Sequence, residues 1–499
     1  MRGGLMVCGT TSDAGKSHVV TGLCRMLARR GVRVAPFKAQ NMALNSFVTP
    51  GGHEIGRAQG VQALAAGAEP EVAMNPILVK PTGERTSQVV VNGEPMGHFS
   101  AAEYHEMKPA LLDLVLGCLD DLRSRYDVVI VEGAGSPAET NLVDHDIVNL
   151  RIAFERGLPA VVVGDIDRGG VFAALYGTVA LLPDHYRPLV RGFVINKLRG
   201  DPALLGDAMV DLQRRCGVPT LGVLPFLHDV ALDAEDSLAL AGHRPRAARP
   251  AVGHGLDVAA IHFPRLSNFT DLDALAIEPG LSVRLVDSAA ALGRPDLVIL
   301  PGTKATVADL GWLRACRLDE AIGERRREGT LVLGMCGGYQ MLGRHIHDDI
   351  ESGRGGVDGL GWLDVTTVFA VAKTTRQRRG VAMGQRVAGY EIHHGVTERG
   401  GGAAGWVHLD DVYGTEVEGA VGCDGAGVLG TSLHGIFEDD AFRATFLTEI
   451  GRRRDKTFVA AGVSFVAARR SQFDRLADLV EGHVDGAALD HLLAEGAPR

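Results

Sequence analysis

The sequence predicts an α/β protein of two units, and three observations carry that expectation. Short apolar runs alternate with helix-length stretches along both halves; a loop ending Gly15-Lys16-Ser17 follows the first run; a Gly334-Met-Cys336-Gly-Gly338 turn follows a later one. In the first half the runs fall at residues 5–9, 32–37, 128–131, 160–163, 193–196 and 218–224. Continuous apolar runs of that length, separated by helical stretches, read as buried strands of a mostly parallel sheet with crossover helices. Residues 241–255 break the pattern with Gly, Pro and Arg and read as a linker. Strand-like runs resume at 258–263, 297–300 and 331–334, so the second half is expected to be another α/β unit. The expected boundaries are 1–240, a linker at 241–255, 256–450, and a helical tail over 451–499. At 499 residues the chain exceeds what one hydrophobic core usually serves.

Composition narrows the class. Hydrophobic residues at 46% and charged residues at 22% suit a globular protein and leave little room for extensive disorder. With 51 basic against 61 acidic side chains the net charge is -10, which argues against nucleic acid or an anionic membrane as partner. Seven scattered cysteines, Cys8, Cys24, Cys118, Cys216, Cys316, Cys336 and Cys423, form no C-x-x-C pair and suggest neither a disulfide framework nor a zinc site. The opening residues do not read as a secretory signal and no run has the length of a membrane span, so a cytoplasmic protein is expected.

The first site is a phosphate loop. Residues 5–9 lead into Gly9-Thr10-Thr-Ser-Asp-Ala-Gly15-Lys16-Ser17 and then a helix-like stretch. Strand, loop and helix in that order aim backbone N–H groups and a helix N-terminus at a phosphate, with Lys16 as a mobile cation and Ser17 able to reach magnesium. Gly9, Thr10, Gly15, Lys16 and Ser17 are therefore the nucleotide-binding candidates. Five residues separate Gly9 from Gly15, one more than the common spacing. Glu132 ends the apolar run Val-Val-Ile-Val, beside the loop in such a sheet, and is the metal candidate with Ser17; a strand-end Glu facing solvent is the alternative. Asp165, Asp167 and Arg168 end a further strand and either manage charge around phosphates or form loop salt bridges. Asn196 ends another and either recognises adenine or caps the surface.

The second site is a thiol. Small residues flanking Cys336 let the chain turn sharply, exposing the sulfur at a helix N-terminus where a thiolate is favoured and following N–H groups can hold an oxyanion. Gly337 and, from the Pro301-Gly302 turn upstream, Gly302 are the oxyanion candidates. The base must be a histidine brought near by folding. His434 follows an apolar run and suits a Cys-His pair; His393 and His394 compete.

Six segments then carry a resemblance: Pro36-Phe-Lys-Ala-Gln-Asn-Met-Ala-Leu-Asn-Ser46, Met74-Asn-Pro-Ile-Leu-Val-Lys-Pro81, Asp165-Ile-Asp-Arg-Gly-Gly-Val171, Leu266-Ser-Asn-Phe-Thr-Asp271, Gly334 to Met341 and Gly389-Tyr-Glu-Ile-His393. Together, over about residues 5 to 440, the chain resembles the cobyric acid synthase family of cobyrinate-amidating glutamine amidotransferases. The resemblance implies a dethiobiotin synthetase-like P-loop domain with a parallel sheet, whose longer loop matches that kind, followed by a class I glutamine amidotransferase-like domain. It implies Cys336 as nucleophile and His434 as its base, with ATP and Mg2+ in one domain and glutamine as ammonia donor in the other. The implied reaction amidates the b, d, e and g carboxylates of adenosylcobyrinic acid a,c-diamide, with a corrinoid as small-molecule partner and room for a homo-oligomer. The Lys-Ala-Gln-Asn-Met-Ala run separates the chain from the similar cobyrinic acid a,c-diamide synthases. Polar, uncharged Gln40, Asn41 and Asn45 are the candidate corrin contacts. Many class I glutaminases carry Glu two residues after the histidine; here that position is Ile436 and the nearest acid is Glu438, so the group orienting His434 is left open between Glu438 and backbone. A ParA-like regulatory ATPase is the rival of a different class, and the Gly334-Met-Cys336-Gly-Gly338 turn stands against it.

Overall fold

The computed structural model describes residues 3–83, 86–228, 230, 255–411, 414–422 and 427–495. The expected linker lies outside them except for Gly255, as does Cys423. The chain divides into two compact units, and the division does not follow the sequence boundaries throughout. Leu44–Gly52 is counted with the second unit, and the expected separate tail is divided, up to Ala468 with the second unit and from Arg469 on with the first.

The first unit is built on a six-stranded sheet in the order Thr220–Pro225, Val190–Leu198, Ala160–Asp165, Gly3–Gly9, Val128–Glu132, Val34–Phe37, parallel throughout. Its central strands are buried on both faces, which is why they read as continuous apolar runs rather than alternating ones. Gly9 pairs with Val163, Val7 with Glu132 and Asp165 with Asn196, so the carboxyl ends of four strands finish side by side. In a parallel sheet that edge is where ligands bind. Helix Lys16–Arg29 follows the first strand and is covered by the C-terminal helices, through Arg25–Asp474 at 2.7 Å and Arg29–Asp478 at 2.5 Å. Leu476, Ala477, Val480 and Leu493 join that apolar cluster, and Gly22 is required there because a Cβ would lie 2.6 Å from the Leu476 carbonyl oxygen. A second sheet of Gln40–Met42, Ile77–Pro81, Thr86–Val91 and Glu94–Ser100 belongs to the same unit. Helix Ala101–Arg125 opens with a capping box between Ser100 and Glu103.

The second unit has a seven-stranded sheet ordered Leu281–Val286, Leu256–Ile261, Leu297–Leu300, Leu331–Met335, Val428–Thr431, Ala420–Gly422, Ala403–Ala404. The first five strands are parallel and the last two join antiparallel. Beside it stands a second sheet dominated by the antiparallel hairpin Val365–Ala382 and Gln385–Arg399, whose polar, Arg-rich middle gave no strand signal in the sequence. Among the described residues no helix is long and apolar enough to cross a membrane.

Arg443, 1% exposed, ties the end of this unit together: Nη1 donates to the Phe437 carbonyl at 2.9 Å, Nη2 to Val463 at 2.5 Å, and Nε stands 3.5 Å from Glu278. Removing one partner of a buried ion pair leaves the other charge desolvated. Arg443→Ala should therefore cost about 3–5 kcal/mol in chemical denaturation followed by tryptophan fluorescence, and a loss below about 1 kcal/mol would show the pair to be dispensable.

Candidate active sites

In the second unit, strand Leu331–Met335 runs into Cys336, which adopts φ 49° and ψ -109°, and helix Gly337–Leu342 follows at once. A positive φ is strained for a residue with a Cβ, and such strain persists only where the surroundings fix it. Gly338 shows how: a Cβ there would sit 1.9 Å from the Leu300 carbonyl oxygen, so only glycine lets the turn press onto the neighbouring strand. Cys336 is buried at 8% exposure, its Sγ 3.9 Å from the Ile392 carbonyl oxygen.

His434 is 0% exposed and follows strand Val428–Thr431. Its Nδ1 lies 2.7 Å from Asp271 Oδ2, while Asp271 Oδ1 accepts the Gly435 N–H at 2.5 Å. That fixes the ring and leaves Nε2, which has no hydrogen-bond partner among the described residues, for the sulfur. The ring also stacks on Tyr390, with centroids 5.4 Å apart, and the backbones of 390 and 434 exchange two hydrogen bonds of 2.9 Å. Electrostatics support an ion pair. Burial pushes the His434 imidazole down, but Asp271 and Cys336 outweigh it and raise it to about 10. Burial pushes the Cys336 thiol up, but His434, His393 and the Gly337 N–H bring it below the ordinary thiol value. The arrangement can hold a thiolate beside an imidazolium, the resting form of a nucleophile with its proton donor in place.

The carboxylate on His434 Nδ1 is thus Asp271, rather than Glu438 or backbone. Asp271 closes the Leu266-Ser-Asn-Phe-Thr-Asp segment and starts helix Asp271–Ala276; no local pattern in the sequence marks it as the partner of His434. Gly302 is pressed against His434, where a Cβ would lie 3.0 Å from Cε1. The Gly337 N–H is directed at the sulfur itself. His394 Nδ1 donates to the Ala370 carbonyl, 3.2 Å away, and burial takes the imidazole down to about 4.

In the first unit Gly15 takes φ 95° and precedes helix Lys16–Arg29. Lys16 Nζ donates to the carbonyls of Thr11, Ser12 and Gly135 at 2.9, 3.3 and 3.1 Å, so the ammonium lies within the loop itself. Thr10 spends its N–H on the Val163 carbonyl at 2.9 Å, and a Cβ on Gly9 would stand 3.0 Å from Lys16 Nζ. Ser17 Oγ donates to Glu132 Oε1 at 2.9 Å, so the two metal candidates do meet, and Glu132 is 1% exposed. Two further side chains, missed in the sequence, complete the cluster: Lys38 Nζ reaches Glu132 Oε1 at 2.9 Å and Gln62 Nε2 reaches Oε2 at 2.5 Å. Burial raises the Glu132 carboxyl, and Lys38, Gln62 and Lys16 more than offset that, holding it below the ordinary carboxylate range.

Asn196 lies under the loop. Its Nδ2 donates to the Ala14 carbonyl at 2.9 Å and its Oδ1 accepts the Lys197 N–H at 2.9 Å, so its amide braces the phosphate loop. Asp165 pairs with Lys197 at 2.7 Å and Asp167 with Arg199 at 2.6 Å, the salt-bridged arrangement of the two left open. Of the corrin candidates, Gln40 accepts from Tyr104 Oη at 2.6 Å and Asn41 donates to Gln59 at 2.9 Å, both in the first unit. Asn45 is counted with the second, where its Oδ1 accepts the Asn268 N–H at 2.7 Å.

A thiol elbow with a buried His-Asp pair in one unit, and a phosphate loop with a buried Ser-Glu-Lys cluster in the other, define an ATP-dependent glutamine amidotransferase of the ligase type. Comparison with known proteins agrees unit by unit: residues 5–239 match the CobQ/CobB/MinD/ParA nucleotide binding domain, and residues 257–442 the CobB/CobQ-like glutamine amidotransferase domain. Among curated relatives, the cobyric acid synthase of Saccharopolyspora erythraea is 54% identical over 99% of this chain and 95% of its own length. Those of Rhodococcus jostii and Streptomyces avermitilis are 53% and 52% identical over 100% of this chain and 96% and 98% of theirs. The chain belongs to the cobyric acid synthase family.

Two outcomes test the thiol site. Asp271→Asn should lower kcat for glutamine hydrolysis by roughly 10²–10⁴-fold by freeing the ring and its tautomer, and an unchanged kcat would remove Asp271 from the array. In the wild type, glutaminase kcat/KM should fall on the acid side as the sulfur gains a proton. It should stay level through neutral pH and fall again only as His434 loses its proton at about 10.

Proposed function

We propose that the chain amidates the b, d, e and g carboxylates of adenosylcobyrinic acid a,c-diamide, taking one ATP and one glutamine for each amide. The observation that carries this reading is the Cys336–His434–Asp271 array on the same chain as the Lys16–Ser17–Glu132 cluster. Near-identical coverage of relatives named cobyric acid synthase supports the corrin substrate over that of an a,c-diamide synthase. A glutaminase unit has no place in a ParA-like regulatory ATPase.

Cys336 Sγ attacks the side-chain amide carbon of glutamine, and the developing oxyanion is met by backbone N–H groups of the elbow near Gly337 and of the Gly302 turn. His434 Nε2 gives its proton to the departing ammonia, leaving a glutamyl thioester. It then takes a proton from water, which attacks that thioester and releases glutamate and the thiolate. Asp271 keeps the ring in register through both steps.

In the other unit the γ-phosphoryl group of ATP passes to a substrate carboxylate, giving ADP and an acyl phosphate. Ammonia then displaces phosphate to leave the amide. Such a transfer needs positioning and charge neutralisation more than covalent help, a role this reading gives to Lys16, Lys38 and the loop N–H groups. A magnesium ion fits the donors present: the Ser17 hydroxyl and the Glu132 carboxylate lie 2.9 Å apart, and that carboxylate is anionic. Bound there, the ion would neutralise phosphate charge. Gln40 and Asn41 remain the first-unit candidates for corrin contact, and a homo-oligomer is compatible with the scheme.

The decisive measurement is mass spectrometry of the corrin product after incubation with ATP and glutamine, where four added amides are expected and two would point to the a,c-diamide reaction. Cys336→Ala should abolish glutamine-dependent amidation and retain it from ammonium salts; equal loss of both would defeat the two-site scheme. Lys16→Ala should stop amide formation from either nitrogen source while glutamine hydrolysis persists at least in part, and an unchanged amidation rate would remove Lys16 from the mechanism.

A further inference from the structure

The strand Gln385–Arg399 lines the thiol site with more than Tyr390 and Ile392. The next residue, His393, has a side chain only 10% exposed, and neither of its ring nitrogens has a hydrogen-bond partner among the described residues. Glu391 makes an ion-pair contact with it, Oε1 lying 3.8 Å from Nε2. Glu391 is in turn held by Arg376 at 2.6 Å and lies 3.6 Å from Arg378. His393 is also within electrostatic reach of the Cys336 sulfur. A buried histidine with no close hydrogen bond and only a long ion-pair contact to Glu391 is not explained by packing, because a buried polar ring so weakly satisfied is unfavourable.

Counting charge supplies a reason. A Cys336 thiolate, a His434 imidazolium and an Asp271 carboxylate sum to one net negative charge in a buried site, which is unfavourable without a further cation. Glu391 is matched by Arg376, so a charge on His393 is not consumed by Glu391 and remains available to the sulfur. Resting on the reading of Cys336 as nucleophile, we propose that His393 is a positioning residue of the glutaminase site: as an imidazolium set by Glu391 and Arg376, it holds Cys336 as the thiolate together with His434.

The surrounding groups agree in sign. Burial pushes the His393 imidazole down, but Glu391 and Cys336 outweigh it, and the net direction is up. Glu391 is raised by burial and lowered more by His393 and Arg376, so it stays anionic. The other acid facing His393 is Glu418, at the end of strand Gly414–Glu418. Burial pushes that carboxyl up against hydrogen bonds from Ser432 and Thr431, so it competes less for the imidazolium. Without the charge on His393, His434 and the Gly337 N–H would be left to oppose the desolvation of the sulfur.

The test is the pH dependence of iodoacetamide alkylation at Cys336 in the full-length chain, read by peptide mass. In His393→Asn the alkylation midpoint should rise by about one pH unit, making the reaction about tenfold slower near neutrality, with rates converging at alkaline pH. Glutaminase kcat should fall at neutral pH and recover as pH rises, with KM within about twofold. A midpoint unchanged from wild type in folded protein overturns the proposal. So does a loss of rate that is uniform across pH, the mark of a merely structural role. Glu391→Gln keeps the imidazole and weakens its charge; it should move the midpoint in the same direction by less, and it decides the matter if His393→Asn does not fold. Failure here leaves the nucleophile reading intact, since that stands or falls on Cys336→Ala.

Discussion

The second unit depends on one buried contact, the 2.7 Å hydrogen bond between His434 Nδ1 and Asp271 Oδ2. An imidazole at 0% exposure would ordinarily be neutral, because burial penalises its charged form. The carboxylate reverses that, and the reversal propagates: a charged His434 lowers the thiol beside it, and the elbow at Cys336 thereby acquires a nucleophile. Strain at the elbow, the glycine packing beneath it and the Arg443 clasp that holds the chain after His434 all act to keep these groups in place.

The first unit solves the same problem with the opposite charge. Glu132 is a carboxylate taken out of water at the end of a central parallel strand, and it is tolerated because Ser17, Lys38 and Gln62 satisfy both of its oxygens. Here the groups that stabilise the buried charge are the same groups that surround a phosphate loop. Breaking the cluster would therefore disturb folding and nucleotide chemistry together. Both sites lie at the carboxyl ends of parallel strands, where the sheet stops supplying backbone partners and side chains must take over.

What the sequence revealed follows the range of each interaction. The phosphate loop and the thiol elbow are local devices, complete within about ten residues, and their glycines, Lys16, Ser17 and Cys336 could be read directly. Glu132 was readable because an apolar run ending in one acid marks a strand end. Asp271 was not, because it meets His434 only through tertiary packing across 163 positions, and no spacing rule encodes that approach. Lys38 was hidden for a similar reason, inside a segment quoted only for its resemblance, and Gln62 sits on a short helix with no amphipathic signature. Asn196 was located correctly at a strand end, but whether its amide faces a ligand or Ala14 is decided by how the loop folds back over it. The C-terminal stretch was expected to be helical, yet nothing in its sequence states which unit it covers.

The absence of Glu two residues after His434 has a physical explanation in the same packing. Ile436 is 0% exposed and belongs to an apolar cluster with Phe437, Phe442 and Phe446. A glutamate there would put a carboxylate among rings that can offer it no hydrogen bond. Asp271 approaches instead from the start of another helix. It divides its two oxygens between His434 Nδ1 and the Gly435 N–H, so a single carboxylate both orients the base and fixes the backbone that carries it. Once that position is filled from outside the His434 segment, the segment is free to be apolar, and its apolar face anchors helix Asp440–Arg453. The two features therefore belong together: an isoleucine at 436 is compatible with this chemistry because aspartate 271 supplies the acid from elsewhere.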